Sequence, residues 1–584
     1  MVDYPHDNLR LARILHGTGH GSRVADSAID GIHSRRNDMN MGKVAAFAVV
    51  SALALAASAA EKRWLGTDAT SPTLASVAAN WDPSGAPTAD DDVVLDAGSN
   101  NNPMTWDLDN GVKSWTQSDY TGTVTFKTGT TATYSQNTYT CYGVTQADGS
   151  KALEITGNLT LSSGTWTHET TPGMTSTSKG MNLWKKGFGV YRIIVKVGGN
   201  CTIGASATID VNSKGFGIDG PGYGEVKNAT TPGSCASHAG FGGYYYGSQT
   251  NTTFIYGSTK QPISLGTGRD TKGGGAVRLS VTGTMVLNGT ISAIGTTDKN
   301  YPGSGGSIWI TADSLSGAGS ASVNGGAGAS GAGCGGGGRI AVYLTGDGAD
   351  FSDFTGTFTS WNRTNYGTCG TVYLETSADN GAGKLVLACG ENASTSQQIG
   401  SKYALCTPLK AGDTNEYVFS TIEFSNWTNL GIMPGVTVTV ARVSASNATR
   451  NLMTLYGGAL KLNGDNGDFS LAGATLRTYD SESSISVGDN GAGTLNLASG
   501  AAMNLNAPTL VNGLLVATGT VRLGADVTVR DFQLPKKSTV YLDGHVLSVT
   551  NPAKRESASI LGTVDAGEGG EIVWPQRGLT LIFR

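Results

Sequence analysis

Charge is scarce in this chain. Only 15% of its 584 residues are charged and the net charge is −5, against about 25% charged residues in an ordinary soluble domain. So faint an acidity gives no footing for nucleic acid, which calls for a basic face. Disorder is also disfavoured, because it needs high net charge and few aromatics, whereas this chain carries 10 Trp, 20 Tyr and 14 Phe. Long amphipathic helices are missing. The 85 glycines follow no G-X-Y period, which excludes collagen. Histidine is sparse, and four of the seven lie before residue 41. No CxxC pair or Cys/His cluster at zinc spacing occurs. No phosphate-loop lysine follows Gly335 to Gly338, and Gly326-x-Gly328-x-x-Gly331 leads into more glycine and a strand, not the helix a dinucleotide site requires.

What the chain does have is a phrase said three times. Gly273-Gly274-Gly275 leads into Ala276-Val277-Arg278-Leu279-Ser280-Val281. Gly305-Gly306 leads into Ser307-Ile308-Trp309-Ile310-Thr311-Ala312, and Gly335 to Gly338 into Arg339-Ile340-Ala341-Val342-Tyr343-Leu344. Alternation puts Val277, Ile308 and Ile340 with their i+2 and i+4 neighbours on one face, and Arg278, Trp309 and Tyr343 on the other. The step is 31 and then 32 residues. A fixed period of short strands and glycine turns signals a repeat architecture. A further copy begins at Arg192, where Ile193, Val195 and Val197 match Val277, Leu279 and Val281, and Ile209 and Val211 match Ile291 and Ala293. That copy lies 84 residues ahead of its successor, so about fifty residues, roughly 215–272, are inserted and expected to leave through a turn.

Met41-Gly42-Lys43, the apolar run Val44 to Ala57 and then Ser58-Ala59-Ala60 form a secretory signal peptide, too short for a membrane span. Translation is expected to begin at Met39 or Met41, leaving residues 1–40 as an upstream extension. All seven cysteines (141, 201, 235, 334, 369, 389 and 406) follow the signal. Export permits disulfides, the odd count leaves at least one thiol free, and spacing does not fix the pairing.

Trp64-Leu65-Gly66, Ala79-Asn80-Trp81, Pro87 and Asp90-Asp91-Asp92-Val93-Val94-Leu95 resemble the segment that opens many large bacterial surface proteins with autotransporter-like repeats. The resemblance implies a first coil or cap of a β-solenoid. Ser237-His238-Ala239-Gly240-Phe241-Gly242-Gly243, Tyr246-Gly247-Ser248, Pro262 and the glycine-led strands are similar to glycine-rich parallel β-helix proteins of bacterial surfaces, over about Arg192 to Leu344. That similarity implies a fold and export, and it carries no catalytic residues.

The expected fold is therefore all-β: a right-handed parallel β-helix, a single elongated rod with a flanking loop insertion. Its parts are the extension 1–40, the signal 41–60, a cap and first rungs at 61–190, glycine-rich repeats at 191–346 carrying the insertion 215–272, and further rungs with a cap at 347–584. The expected role is a secreted or cell-surface structural or adhesive protein, with an extracellular polysaccharide or cell-surface component as partner. No nucleic acid, no cofactor and no membrane span in the mature chain are expected, and the oligomeric state is left open.

Candidate residues carry two readings each. Tyr244, Tyr245, Tyr246 and Tyr256 either stack on sugar rings or pack the insertion onto the solenoid wall. His238 is either a base or a backbone-bonded structural residue. Asp90, Asp91 and Asp92 are either calcium ligands or turn residues. The alternative role is a polysaccharide lyase or glycoside hydrolase, which needs grouped carboxylates on one face. Asp480, Glu482 and Asp489, and the pair Asp543 and His545, are the residues it would draw on.

Overall fold

The glycine-led phrases stack as strands. In the computed structural model Ala276–Val281, Ser307–Ala312, Arg339–Leu344 and Thr371–Thr376 pair in parallel, with Val277 opposite Ile308, Ile308 opposite Ile340, and Ile340 opposite Val372. The earlier copy joins across its 84-residue gap, Ile193 opposite Val277. Its return strand joins too, Ile209 opposite Ile291. The structure describes residues 59–575 apart from 135–136, 171–189, 218–219, 223–234, 244–254, 269–270, 299–300, 329–333, 362–366, 391–405, 413, 446–449, 481, 498–500, 518–519 and 552–559. The upstream extension and nearly all of the signal segment thus lie outside the described residues.

Each coil runs over three faces. Ala276–Val281 is followed by Met285–Leu287 and Thr290–Ser292, and Ser307–Ala312 by Leu315–Ser316 and Ser320–Ser322. Where the chain does not break at a corner, one long strand spans two faces: Cys201–Asp210 pairs with Met285–Leu287 through its first half and with Thr290–Ser292 through its second. Asparagines serve the corners. The Asn158 side chain accepts Asn200 N (2.8 Å) and that of Asn200 accepts Thr284 N (3.0 Å), so a corner amide finds a partner one coil away.

The paired glycines have a steric cause. A Cβ on Gly306 would collide with Gly275 O, one on Gly338 with Gly306 O, and one on Gly370 with Gly338 O. None of the three has a φ in the left-handed region. Close backbone approach between coils, and not turn geometry, excludes a side chain from this column.

Trp64 and Trp81 open the stack, buried edge to face with ring centroids 5.1 Å apart. Glu61–Trp64 pairs antiparallel with Trp81–Asp82 and parallel with Asp92–Leu95. Trp106, Trp115, Phe126 and Trp166 then fill the first coils. Farther in, aliphatic residues replace them.

At Thr371–Thr376 the stack changes course. The next strand, Lys384–Ala388, pairs with it antiparallel, Val372 opposite Val386 and Tyr373 opposite Leu385. Glu416–Ser425 then adds in parallel to Lys384–Ala388, and the stacking continues to Glu571–Val573. Strand direction is reversed from here on. So is the side of the sheet that carries the core. Val277, Ile308, Ile340, Val372 and Leu374 belong to one hydrophobic cluster, while Tyr373, Leu385, Leu387, Ile422 and Phe424 belong to another. Tyr373 and Val372 are adjacent, so the two cores lie on opposite sides of one sheet. Reversing both the strand direction and the core side is a half-turn, and a half-turn preserves chirality. The two stacks therefore coil with the same hand.

The second stack has its own parallel sheet, Thr407–Leu409, Thr428–Ile432, Asn451–Leu455, Thr475–Thr478, Ala502–Leu505, Thr520–Leu523, Thr539–Tyr541 and Thr563–Asp565. Thr509–Val516 pairs with Ser484–Val487 by its first half and with Thr494–Leu497 by its second. Such forks mark corners and do not close a barrel. Among the described residues the only helical elements are short 3₁₀ turns, and no helix is long and apolar enough to cross a membrane.

Candidate functional site

The described parts of the insertion form a strap over the outer face of the glycine-led strands. That face carries Arg278, Trp309, Tyr343 and Tyr373. The Arg278 guanidinium lies 4.3 Å over the Trp309 ring, and Trp309–Tyr343 and Tyr343–Tyr373 follow at 6.5 and 5.8 Å. Tyr343 OH donates to Lys260 O (2.6 Å). Lys260 Nζ donates to Gly381 O (2.5 Å) and lies 5.1 Å over the Tyr373 ring. Ser307 Oγ donates to Ser264 O (2.6 Å).

Arg339 is the chief anchor of the strap. It is 3% exposed. Its Nε and Nη2 each donate to Tyr256 O (3.1 Å), and its Nη1 donates to Thr259 Oγ1 (2.9 Å). Arg192 does similar work one end along. Its Nη2 donates to Thr130 Oγ1 (2.7 Å) and its Nη1 to Ile263 O (3.4 Å), and burial brings its pKa down to about 10. Neither arginine stood out in the sequence as a functional residue. The usable signal is position: each is a cation at the start of a buried strand.

His238 lies fully inside this assembly. Its ring stacks on Tyr256 at 4.5 Å and its Nδ1 lies 2.8 Å from Gly305 O. A carbonyl only accepts, so Nδ1 carries the proton. Burial, reinforced by the Arg339 charge, brings the imidazole down to about 3. His168 is held alike: Nδ1 donates to Glu169 O (2.8 Å), Nε2 accepts Ala276 N (3.4 Å), and burial with the Lys214 and Arg192 charges brings it down to about 3. Both rings are neutral at physiological pH.

Tyr256 OH donates to Leu265 O (2.7 Å) and meets Thr267 Oγ1 (2.9 Å), and burial pushes the phenol up. Its hydroxyl is thus turned into the strap. Tyr244, Tyr245 and Tyr246 lie outside the described residues, but the residues flanking them are placed. Phe241 N donates to Thr368 Oγ1 (2.6 Å), and Ile255 shares an apolar cluster with Phe241, Cys406, Met433 and Tyr456.

The remaining candidates are far from this strap in the chain and are not gathered together. Asp543 and Gly544 form a left-handed turn, φ 46 and 84. Asp543 pairs with Arg522, whereas His545 Nδ1 lies 3.8 Å from Asp526 Oδ1. Asp480, Glu482 and Asp489 sit on the turns either side of Ser484–Val487, the last two exposed. Asp90 is exposed. Asp91 is buried, accepting Ala60 N (2.9 Å), Thr88 N (2.8 Å) and Thr88 Oγ1 (2.8 Å). Burial opposes its ionisation, but those bonds and the Lys62 charge hold its carboxyl below the usual range. Asp92 bonds Lys113 Nζ (2.8 Å) and Ser114 Oγ (2.6 Å). Among the described residues no group of three His, Cys, Asp or Glu side chains is placed to hold a metal.

The fold is that of a parallel β-solenoid built from two stacks. No family model, no curated protein and no solved structure matches the chain.

Proposed function

We propose that this chain is an exported, right-handed β-solenoid with a structural and adhesive role, and that its insertion 215–272 presents aromatic residues to extracellular glycans. The observation that carries the reading is the fixed base of that insertion. Tyr256, Thr259, Lys260, Ile263 and Ser264 are bonded to residues on the outer face of the stacked strands or flanking it. A fixed base lowers the ordering cost of binding. Tyr244, Tyr245 and Tyr246 offer flat faces and hydroxyls of the kind that meet sugar rings. Parallel strands joined by right-handed crossovers are the general rule, which supports the hand. Export rests on the 41–60 segment.

A glycan array with the purified chain tests the reading. One glycan class should bind, and binding should be lost in the triple Tyr244/Tyr245/Tyr246→Ala variant while its unfolding midpoint stays put. No binding by the parent, or equal binding by the variant, would overturn it. Sugar release from a polysaccharide, abolished by Asp543→Asn, would put the lyase or hydrolase reading in its place.

A further inference from the structure

The hairpin that joins the two stacks carries a cysteine at each open end. Cys369 precedes Thr371–Thr376 by two residues and Cys389 directly follows Lys384–Ala388. The register sets Val372 opposite Val386. Continued three residues outward, it sets Cys369 opposite Cys389. Thr371 N donates to Gly338 O and Cys389 N to Ser425 O, each to the strand on its far side. The 369/389 position is thus a non-hydrogen-bonded pair, where Cα atoms lie about 4.5 Å apart, inside the range a disulfide spans.

The side chains agree. Cys369 and Cys389 are both buried in the second core, on the same face as Tyr373, Leu385 and Leu387. The two thiols are near enough that each shifts the other's ionisation. Cys369 Sγ also lies 3.3 Å from Thr407 Oγ1, and Cys389 Sγ donates to Trp427 O (3.2 Å). Cys141, by contrast, donates to Val190 O, and Cys201 belongs to the first core.

We propose that Cys369 and Cys389 form a disulfide that staples the hairpin where the core changes sides. The two thiols lose two protons and two electrons and one S–S bond forms. The electrons pass to a disulfide donor, which is reduced to its dithiol by thiol–disulfide exchange. The native pair is buried, so exchange takes place before the second core closes. The cysteines are only 20 residues apart, and local hairpins form well ahead of non-local stacking. The proposal rests on the export reading only for the donor in the cell.

The test supplies its own donor. The full chain is reduced, denatured and refolded in mixed oxidised and reduced glutathione, then alkylated in denaturant without reductant and digested with trypsin. Cleavage after Arg363, Lys384 and Lys402 leaves the two cysteines on separate peptides, 364–384 and 385–402. Mass spectrometry should find these two peptides joined and released by reductant. Reductant should also lower the unfolding midpoint of the parent and leave that of Cys369→Ala/Cys389→Ala where it is. Alkylation of both cysteines, or bonding of either to another cysteine, would overturn the proposal, and the parent's peptide map decides this even where the variant fails to fold. Whether the chain is exported is read separately, from the N-terminus of the protein recovered outside the cell.

Discussion

His168 and His238 make stability depend on pH in a calculable way. Both are completely buried, and each spends its one N–H on a carbonyl, Glu169 O for His168 and Gly305 O for His238. Burial lowers both from about 6.5 to about 3. The folded chain therefore refuses a proton that the unfolded chain accepts below pH 6.5. With folded values depressed, the unfolded state binds more protons throughout the window between 3 and 6.5, so stability falls as pH falls. Each ring contributes a slope of about 1.4 kcal/mol per pH unit there. From pH 7.5 to pH 5 the loss is about 2 kcal/mol per histidine and about 4 kcal/mol for the pair. Carboxylates held low in the fold, such as Asp91 and Asp148, act in the same direction but only at lower pH.

Urea unfolding followed by tryptophan fluorescence, at pH 7.5 and pH 5, measures the effect. His238→Gln should remove about half of the pH dependence, His168→Gln about half, and the double variant nearly all of it, whatever each change does to stability at pH 7.5. The reasoning is refuted if the parent's midpoint is level between the two pH values. It is equally refuted if the parent and both single variants lose the same amount on acidification.

Two further outcomes follow from packing. Gly370→Ala places a methyl group against Gly338 O and should cost about 1–3 kcal/mol through forced separation of two coils, read as a lower unfolding midpoint; an unchanged midpoint would show that the glycine column is not sterically required. Arg339→Ala strands Tyr256 O and removes the bond to Thr259, for a loss of about 3 kcal/mol, and should speed amide exchange in residues 255–265 more than in Ser307–Ala312; equal exchange in both segments would remove Arg339 from its anchoring role.

Strand identity and register in the repeats were legible in the sequence, because one face of each repeat is aliphatic and the other is not. Val277, Ile308 and Ile340 could be aligned by parity alone, and the 84-residue gap exposed the insertion. The change of core side was not legible, and the reason is physical. In Thr371–Thr376 the first four residues are all buried, so alternation vanishes where a strand has a core on each side. A hairpin to Lys384–Ala388 and a coil to the next rung then look the same in one dimension. The state of His238 was open for another reason: its partner Gly305 is 67 residues away, and no local pattern reports such a bond.

The position of the strap follows from the change of core side. On Ala276–Val281 and Ser307–Ala312 the outer face of the first stack still meets solvent, and its residues Arg278 and Trp309 are partly exposed. From Arg339–Leu344 on, the same side of the sheet becomes the wall of the second core, with Ala341 and then Tyr373 fully buried. A sheet whose apolar side begins midway leaves the edge of that core open toward the earlier coils, and something must cover it. The insertion does so. Lys260 reaches Gly381 and the rings of Tyr373 and Phe419, while Phe241 and Ile255 pack with Cys406, Met433 and Tyr456 of the second stack. The segment that interrupts the repeat is thus the segment that lets one stack hand over to the next. Phe241 is engaged by the second stack and Tyr256 by the strap itself, which is why the proposed glycan contact is tested with the triple tyrosine variant and not with Tyr256.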